Sequence, residues 1–165
     1  MATPDRPVLP LYDADKLRPT DSIGMLIKRA MQSLSLQVDR RLAPHDLTHA
    51  QWLPLYWLAR GECDTIAALA RTQALDPGAM TRALDRLEAK GLLKRVRSQQ
   101  DRRVVHLELT DDGRRTAALV PPVLAEVLNA HLAGFSHDEW QQLVHLLQRV
   151  VANGDALRDP PKDPV

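Results

Sequence analysis

The chain contains almost no cysteine. Its 165 residues include only Cys63, so no disulfide can form within the chain. Small secreted domains usually depend on several disulfides, and neither a signal peptide nor a transmembrane segment is evident. We therefore expect a cytoplasmic protein with no membrane association. Cys63 also stands between Glu62 and Asp64, and these acids disfavour the reactive thiolate that a redox sensor needs.

Motifs for catalysis and metal binding are also missing. The six histidines are scattered, and no HExxH motif or Cys/His cluster is present. The chain likewise has no nucleophile elbow and no phosphate-binding loop. We therefore expect that it is not an enzyme and that it uses no metal and no cofactor.

Net charge is nearly absent from the chain as a whole but not from one part of it. The 22 Lys and Arg residues face 21 Asp and Glu residues, which leaves +1. Residues 82–103 alone hold eight basic and three acidic side chains, a local charge of +5, so the remainder carries −4. A basic face on an otherwise acidic body is typical of a protein that binds duplex DNA.

A capped helix opens this basic stretch. Asp76 is a good N-cap, Pro77 suits the first helical position, and Gly91 can end the helix in a left-handed conformation. The apolar spacing predicts a buried stripe of Met80, Ala83, Leu84 and Leu87. The outward residues are Gly78, Ala79, Thr81, Arg82, Asp85 and Arg86. Because those nearest its beginning are small or hydrogen-bonding, this helix fits a DNA major groove.

The neighbouring segments complete a winged helix-turn-helix. A short helix is predicted over Thr65–Thr72, only a brief turn before the capped helix. After the capped helix come two strand-like runs, around 92–96 and 104–109, joined by a polar loop that carries Arg97, Arg102 and Arg103. The predicted fold is therefore mainly α with a small β-hairpin wing.

These residues resemble the MarR family of transcriptional regulators. The likeness rests on the wing pattern Asp101-x-Arg103-x-x-x-Leu107-x-Leu109-Thr110 and on the segment from Asp76 to Arg95, and it extends over about residues 22–152. At Gly78 and Ala79 the chain departs from the family, in which hydroxyl residues are common there. The family implies a homodimer that binds double-stranded DNA at a palindromic operator.

The resemblance also implies roles for individual residues. Arg103 would enter the minor groove with Asp101 bonded to it, and Thr81 and Arg82 would contact base edges or phosphates. Lys94 and Arg95 would contact phosphates, which position the protein without reading sequence. The complete predicted DNA-binding set is Gly78, Ala79, Thr81, Arg82, Arg86, Lys94, Arg95, Arg97, Asp101, Arg102 and Arg103.

The flanking segments predict how two such DNA-binding heads are joined. Apolar stripes along helices at both ends have nothing obvious to bury against in a small winged-helix core, so we expect a two-fold dimer. The predicted organisation is an N-terminal arm at 1–19, a winged-helix domain at 20–153 and a flexible tail at 154–165. Within that domain, the DNA-binding lobe covers about 47–110, and the dimerisation helices cover about 20–43 and 111–153.

Prolines and a capping box mark the remaining helices. Pro54 and the pair Pro121-Pro122 fall inside predicted helical segments, where a proline removes a backbone hydrogen bond, so we expect kinks at both places. Ser136 and Glu139 form a capping-box pattern at the start of the last helix.

A small aromatic carboxylate is the expected effector, because regulators that this chain resembles commonly respond to such acids. Three of the six aromatic residues lie within 52–57. The alternative is that these aromatics belong to the core. The candidate effector-binding residues are Arg29, Arg40, His49, Trp52, Tyr56 and Trp57.

Two functions remain open at this stage. The first is a ligand-responsive regulator, expected to be a repressor. The second is a winged-helix module that binds another protein, since fold alone does not establish DNA binding. The local charge of +5 favours the first, because a protein-binding module does not require it.

Overall fold

The computed structural model describes residues 10–73, 75–100 and 104–158. This part of the chain is mainly helical with one two-stranded antiparallel sheet, which confirms the predicted fold class. It separates into two compact units, Met1–Leu124 and Ala125–Val165. In chain order the elements are α1 (Ile23–Leu42), a 3₁₀ turn (Ala43–His45), α2 (His49–Arg60), α3 (Ile66–Thr72), α4 (Pro77–Ala89), β1 (Leu93–Arg97), β2 (Val105–Leu109), α5 (Asp111–Ala117), α6 (Val120–His131) and α7 (His137–Arg158).

The residues before α1 are fixed to its first turn by Tyr12. The Tyr12 hydroxyl accepts a hydrogen bond from the backbone N–H of Ile23 at 2.9 Å and donates one to the carbonyl of Asp21 at 3.2 Å. It thereby satisfies a donor at the helix start that the N-cap residue, Ser22, leaves without a side-chain partner. Within the segment predicted as an arm, residues 1–9 lie outside the described part of the chain.

Helix α1 is buried only toward its end. Val38 and Leu42 are buried, whereas Ile23 and Ile27 near its beginning are exposed. The helix stops at Leu42 as predicted, and Pro44 lies in the 3₁₀ turn that follows.

Helix α2 runs through Pro54, which is itself buried. Its N-terminus is closed by Thr48, whose backbone N–H donates to the side-chain oxygen of Gln51 at 3.2 Å. Trp52 is buried in this helix, and its indole N–H donates to Asp39 of α1 at 3.0 Å. This bond joins α1 to α2 inside the first unit.

The helix-turn-helix and the hairpin share one core. The almost fully buried residues of α2, α3, α4 and the two strands include Leu55, Leu69, Met80, Leu84, Leu87, Leu93 and Leu107. Strands β1 and β2 pair from Leu93 opposite Leu109 to Arg97 opposite Val105, as the two predicted apolar runs require. The backbone N–H of Leu107 also donates to the carbonyl of Asp64 at 2.7 Å, which ties the hairpin to the start of α3.

The base of the hairpin is joined closely to the start of α5. Thr110 caps α5 by accepting from the N–H of Gly113 at 3.0 Å, and its hydroxyl donates to the carbonyl of Gly91 at 2.7 Å. Gly113 packs so tightly that a Cβ there would stand 1.8 Å from the carbonyl oxygen of Leu92. Only glycine fits at this crossing.

The region of Pro121 and Pro122 corrects one prediction. Pro121 and Pro122 were expected to kink a helix that continues on both sides of them, but α5 ends at Ala117 and α6 begins at Val120. The prolines lie in the first turn of α6, where a missing N–H costs no helical hydrogen bond. The chain therefore breaks the helix before them and starts a new one.

Helix α7 begins at the predicted capping box. Ser136 donates its N–H to Glu139 at 2.8 Å, and its hydroxyl accepts from the Glu139 N–H at 3.2 Å. Hydrogen bonding of the Glu139 carboxylate, first by the backbone N–H of Ser136 and then by its side chain, holds the pKa of Glu139 below its ordinary value.

The C-terminal end of α7 lies beyond the predicted start of the tail. The helix continues to Arg158, past the expected start of the tail at 154, and Asp155 pairs with Arg158 one turn later. Residues 159–165 lie outside the described part. None of the described helices is both long and apolar enough to cross a membrane.

Candidate nucleic-acid interface

Helix α4 has the ends that its sequence predicts. The carboxylate of Asp76 accepts from the N–H of Ala79 at 3.0 Å, Pro77 occupies the first turn, and Gly91 has φ of +69°. The four residues of the predicted buried stripe are all buried, and these are Met80, Ala83, Leu84 and Leu87. Because its inner face is fixed in the core, α4 presents a rigid outer face.

That outer face carries small side chains near the N-terminus of α4 and charged side chains toward its C-terminus. Gly78, Arg82 and Asp85 are exposed and lie about one turn apart, so they share one side of the helix. Ala79 and Thr81 flank this side and are partly buried. The hydroxyl of Thr81 donates to the carbonyl of Pro77 at 2.9 Å, so its only proton is used within the helix.

Arg95 of β1 connects the hairpin to α4. Its guanidinium contacts Asp85 at 2.7 Å and Glu88 at 2.5 Å, and its backbone N–H also donates to Glu88. Partial burial acts to lower the pKa of Arg95, but the hydrogen bond to Asp85 and the charges of Glu88 and Asp85 outweigh it and raise that pKa. A base of the wing thus contacts both acids of α4 and offsets one of their two negative charges.

The two lysines of the basic stretch also have acidic partners. Lys94 pairs with Glu108, its neighbour across the hairpin, at 2.8 Å. Lys90, at the end of α4, contacts the carboxylate of Asp46 at 2.8 Å and the side chain of Gln51 at 3.3 Å. These contacts show structural roles for Lys94 and Lys90, and the predicted phosphate contacts of Lys94 and Arg95 stay predictions.

A second group of arginines is exposed and forms no ion pair with any residue that the structure describes. Arg82 and Arg86 lie on α4, and Arg97 ends β1. A further member is Arg71 on α3, which is not among the residues predicted from the sequence. Arg71 lies outside the basic stretch 82–103, and the signal that indicates it is its place in the last turn of α3, the first helix of the helix-turn-helix. The wing residues Asp101, Arg102 and Arg103 lie outside the described residues.

Known proteins with similar sequences identify the family of the chain that carries this surface. A family model described as the MarR family matches residues 47–105. Over 119 residues the chain is 33% identical to the HTH-type transcriptional regulator YdcH of Bacillus subtilis (strain 168), covering 70% of this chain and 81% of YdcH. Over 130 residues it is 31% identical to the multiple antibiotic resistance protein MarR of Escherichia coli (strain K12), covering 78% of this chain and 90% of MarR. The chain belongs to the MarR family.

Solved structures of transcriptional regulators share its fold. The transcriptional regulator PA3341 superposes with a TM-score of 0.75 at 31% identity, covering 81% of this chain and 98% of that one. The reduced form of MarR from E. coli gives a TM-score of 0.68 at 28% identity, with 78% and 96% covered. This MarR-family chain is therefore a DNA-binding transcriptional regulator with a winged helix-turn-helix, and the predicted family is confirmed.

The candidate effector residues of this MarR-family protein fall into two groups. Trp52 is buried and bonded to Asp39, as expected of a core residue. Tyr56 and Trp57 are half-buried and meet edge to face, with ring centroids 6.2 Å apart. His49 packs edge-on against Trp52 at 5.0 Å, and its buried Nδ1 has no hydrogen-bond partner among the described residues. Arg29 and Arg40 are exposed on α1.

Cys63 is a buried free cysteine. It is buried, and its sulfur lies 3.3 Å from the hydroxyl of Thr72 at the end of α3. The contact fits a packing role between the loop after α2 and the helix-turn-helix.

Proposed function

We propose that this MarR-family regulator is a repressor that binds a palindromic operator as a homodimer and leaves the DNA when a small aromatic acid binds. The exposed arginines on α4 and β1 carry the proposal. Arg82, Arg86 and Arg97 form no ion pair with described residues, so their charge is available for the duplex. In contrast, Arg95 and Lys94 are paired with acids.

Exposed apolar faces on α1 and α7 support a homodimer. None of the 22 residues of α7 is buried in the single chain, and the stripe Trp140, Val144, Leu147 and Val151 stands exposed. Ile23 and Ile27 at the start of α1 are exposed as well. Burial of such apolar surface contributes about 25 cal/mol for each Å², and this would favour pairing with a second copy. A two-fold dimer would read half-sites about 10–10.5 bp apart.

Operator binding can be tested by fluorescence anisotropy with the intergenic DNA beside the protein's own gene. We expect binding that resists an unrelated competitor duplex and weakens with salt, by about 0.9 log units per log unit of salt for each phosphate contacted. Equal binding to both duplexes, or none to either, would contradict operator recognition at this DNA and would favour the protein-binding alternative. Sedimentation of the complex gives the stoichiometry, for which we expect two chains per operator.

His49 and its neighbours support the proposed effector site. The buried Nδ1 of His49 lacks a partner among the described residues, so a ligand carboxylate could supply one. Tyr56 and Trp57 offer half-buried ring surface, and Arg29 or Arg40 could balance the ligand's charge.

A panel of aromatic carboxylates tests this part of the proposal. We expect an effective acid to quench tryptophan fluorescence and to release the operator over the same concentration range. His49→Ala should weaken both responses, whereas replacement of the exposed His45 by alanine keeps all three tryptophans and should retain both. Release without any effect of His49→Ala would place the effector elsewhere.

Whether the protein represses transcription depends on where its operator lies relative to the promoter. A dimer bound across a promoter blocks the polymerase, so deleting the gene should raise transcription from the adjacent promoter. A fall in transcription on deletion would instead identify an activator.

A further inference from the structure

We propose that His106 and Asp64 form a pH-sensitive clamp that positions the hairpin against the helix-turn-helix, so that operator affinity rises as the pH falls from about 8 to about 6. The inference rests on the operator binding proposed above, because operator DNA is the probe that tests it. It follows from the contact that joins β2 to the residues before α3.

Strand β2 lies between β1 and the segment that leads into α3. On one edge it pairs with β1, and on the other edge Thr65 lies opposite His106 as a short antiparallel bridge. The backbone N–H of Leu107 donates to the carbonyl of Asp64 at 2.7 Å. The imidazole Nδ1 of His106 lies 2.8 Å from the carboxylate of the same aspartate. Asp64 therefore holds β2 through both its backbone and its side chain.

The two strands of the hairpin are anchored to different helices. Arg95 of β1 contacts two acids of α4, whereas His106 of β2 contacts Asp64, which directly precedes the N-cap of α3. Anchors on two neighbouring strands together fix the tilt of the hairpin against the helices. Because Arg97 ends β1 and is exposed, this tilt sets where its charge meets a duplex. His106 is thus a positioning residue, which acts on DNA through the hairpin.

Only one of these two anchors changes its charge near neutral pH. Arginine stays protonated, whereas a histidine side chain ordinarily gains or loses its proton between about pH 5 and 8. A protonated ring donates a charge-assisted hydrogen bond to a carboxylate, and such bonds are stronger than neutral ones. The side chain of His106 is 39% exposed and that of Asp64 is 63% exposed. Because water screens such a pair, we expect a change in affinity of a few-fold.

The charged groups that face His106 come from three segments. Asp64 reaches it from the residues before α3. Glu108 lies two residues further along β2 on the same face, and Lys94 lies opposite Glu108 on β1 and pairs with it at 2.8 Å. Val96, which is opposite His106 in the register, carries no charge. Since Lys94 and Glu108 compensate each other, Asp64 supplies the charge that attracts a protonated His106.

The first measurement compares operator affinity at two pH values. An operator duplex is selected from a randomised library with the full-length protein, and anisotropy then gives Kd at about pH 6 and about pH 8. We expect the ratio of Kd at the higher pH to Kd at the lower pH to be about two- to fivefold larger for the wild type than for His106→Asn. The asparagine amide can still donate to Asp64, but it does not titrate.

A matched control makes the same substitution at another histidine. His45→Asn replaces an exposed residue of the 3₁₀ turn and should keep the wild-type ratio. Circular dichroism at both pH values confirms that the variants fold.

Asp64→Asn separates the clamp from a direct effect of the charge on His106. This variant keeps His106 and a side-chain oxygen that can accept, so its Kd ratio should fall to that of His106→Asn. Combining the two substitutions should change the ratio no further, because both remove one interaction. Salt dependence gives a second readout. At about pH 6, the wild type and His106→Asn should show the same slope of log Kd against log salt, because the clamp contacts protein and no phosphate.

The outcomes separate this inference from the function on which it depends. If the wild type selects no sequence, operator binding and this inference both fail. If it selects a sequence and His106→Asn keeps the wild-type ratio, operator binding stands and the clamp is overturned. A ratio that falls in His106→Asn but not in Asp64→Asn, or a salt slope that is smaller by about 0.9 in His106→Asn, would show that His106 contacts a phosphate itself and would likewise overturn the clamp.

Discussion

The guanidinium of Arg95 lies 2.7 Å from the carboxylate of Asp85, and so a residue of the wing holds an acid of the recognition helix. Its other amino group contacts Glu88 one turn further along α4. The pair does more than join β1 to α4. Arg95 offsets part of the negative charge of Asp85 and Glu88 on the helix that carries Arg82 and Arg86. Without it, the two carboxylates would repel the phosphates of a bound duplex more strongly.

Arg95→Ala should therefore weaken DNA binding even though the arginine already has partners in the protein. Because both carboxylates then lack their partner, we expect DNA binding to become less favourable by about 1–2 kcal/mol, which is roughly a 5- to 30-fold rise in Kd. Anisotropy titration measures this. In the Arg95→Ala background, adding Asp85→Asn and Glu88→Gln should restore much of the affinity. A loss that this charge removal does not relieve would mean that Arg95 contacts DNA itself.

The recognition helix could be predicted almost completely from the sequence, because local chemistry determines it. Asp76, Pro77 and Gly91 set its ends, and a regular apolar spacing sets its buried face. The hairpin followed for the same reason, since two apolar runs joined by a polar loop can pair in only a few registers. Such signals lie within a few residues of the structure that they produce.

Contacts between elements could not be predicted in this way. The sequence did not indicate that Lys94 pairs with Glu108 or that Arg95 pairs with two acids of α4, and the phosphate contacts expected of both residues stay predictions. Trp52 was a candidate for effector binding, and its indole is bonded to Asp39 of the preceding helix. Each of these depends on which elements pack together, which the order of residues alone does not reveal.

Gly113→Ala should destabilise the protein strongly. A Cβ at this position would stand 1.8 Å from the Leu92 carbonyl oxygen and 2.8 Å from its carbon, so backbone must move. We expect a loss of at least about 2 kcal/mol in the free energy of unfolding. Gly154→Ala is the matched control, because nothing lies within 4 Å of a Cβ there. In the interior of α7 it should gain about 0.5–1 kcal/mol. Similar urea midpoints for the two variants would contradict this packing.

The bond between Trp52 and Asp39 should stabilise the contact of α1 with α2. Asp39→Ala would leave a buried indole N–H without its acceptor, and we expect a cost of about 1–3 kcal/mol. Asp39→Asn keeps an oxygen that can accept and should cost less. Urea unfolding followed by circular dichroism, at one fixed protein concentration, measures both variants. Equal losses would indicate that the charge of Asp39, rather than its hydrogen bond, matters.

The capping box of α7 should make stability depend on pH. Hydrogen bonds from the backbone and side chain of Ser136 lower the pKa of Glu139 below its ordinary value of 4.5. A carboxylate whose pKa is lower in the folded than in the unfolded protein stabilises the fold above its unfolded pKa, and this contribution is lost as the pH falls through the folded value. Glu139→Gln retains an acceptor for the cap but does not titrate. The wild type should therefore have the higher Tm at neutral pH, and the difference should vanish under acid conditions. Since every other acid titrates in both proteins, a Tm difference that stays constant with pH would show that the Glu139 carboxylate has no role in the cap.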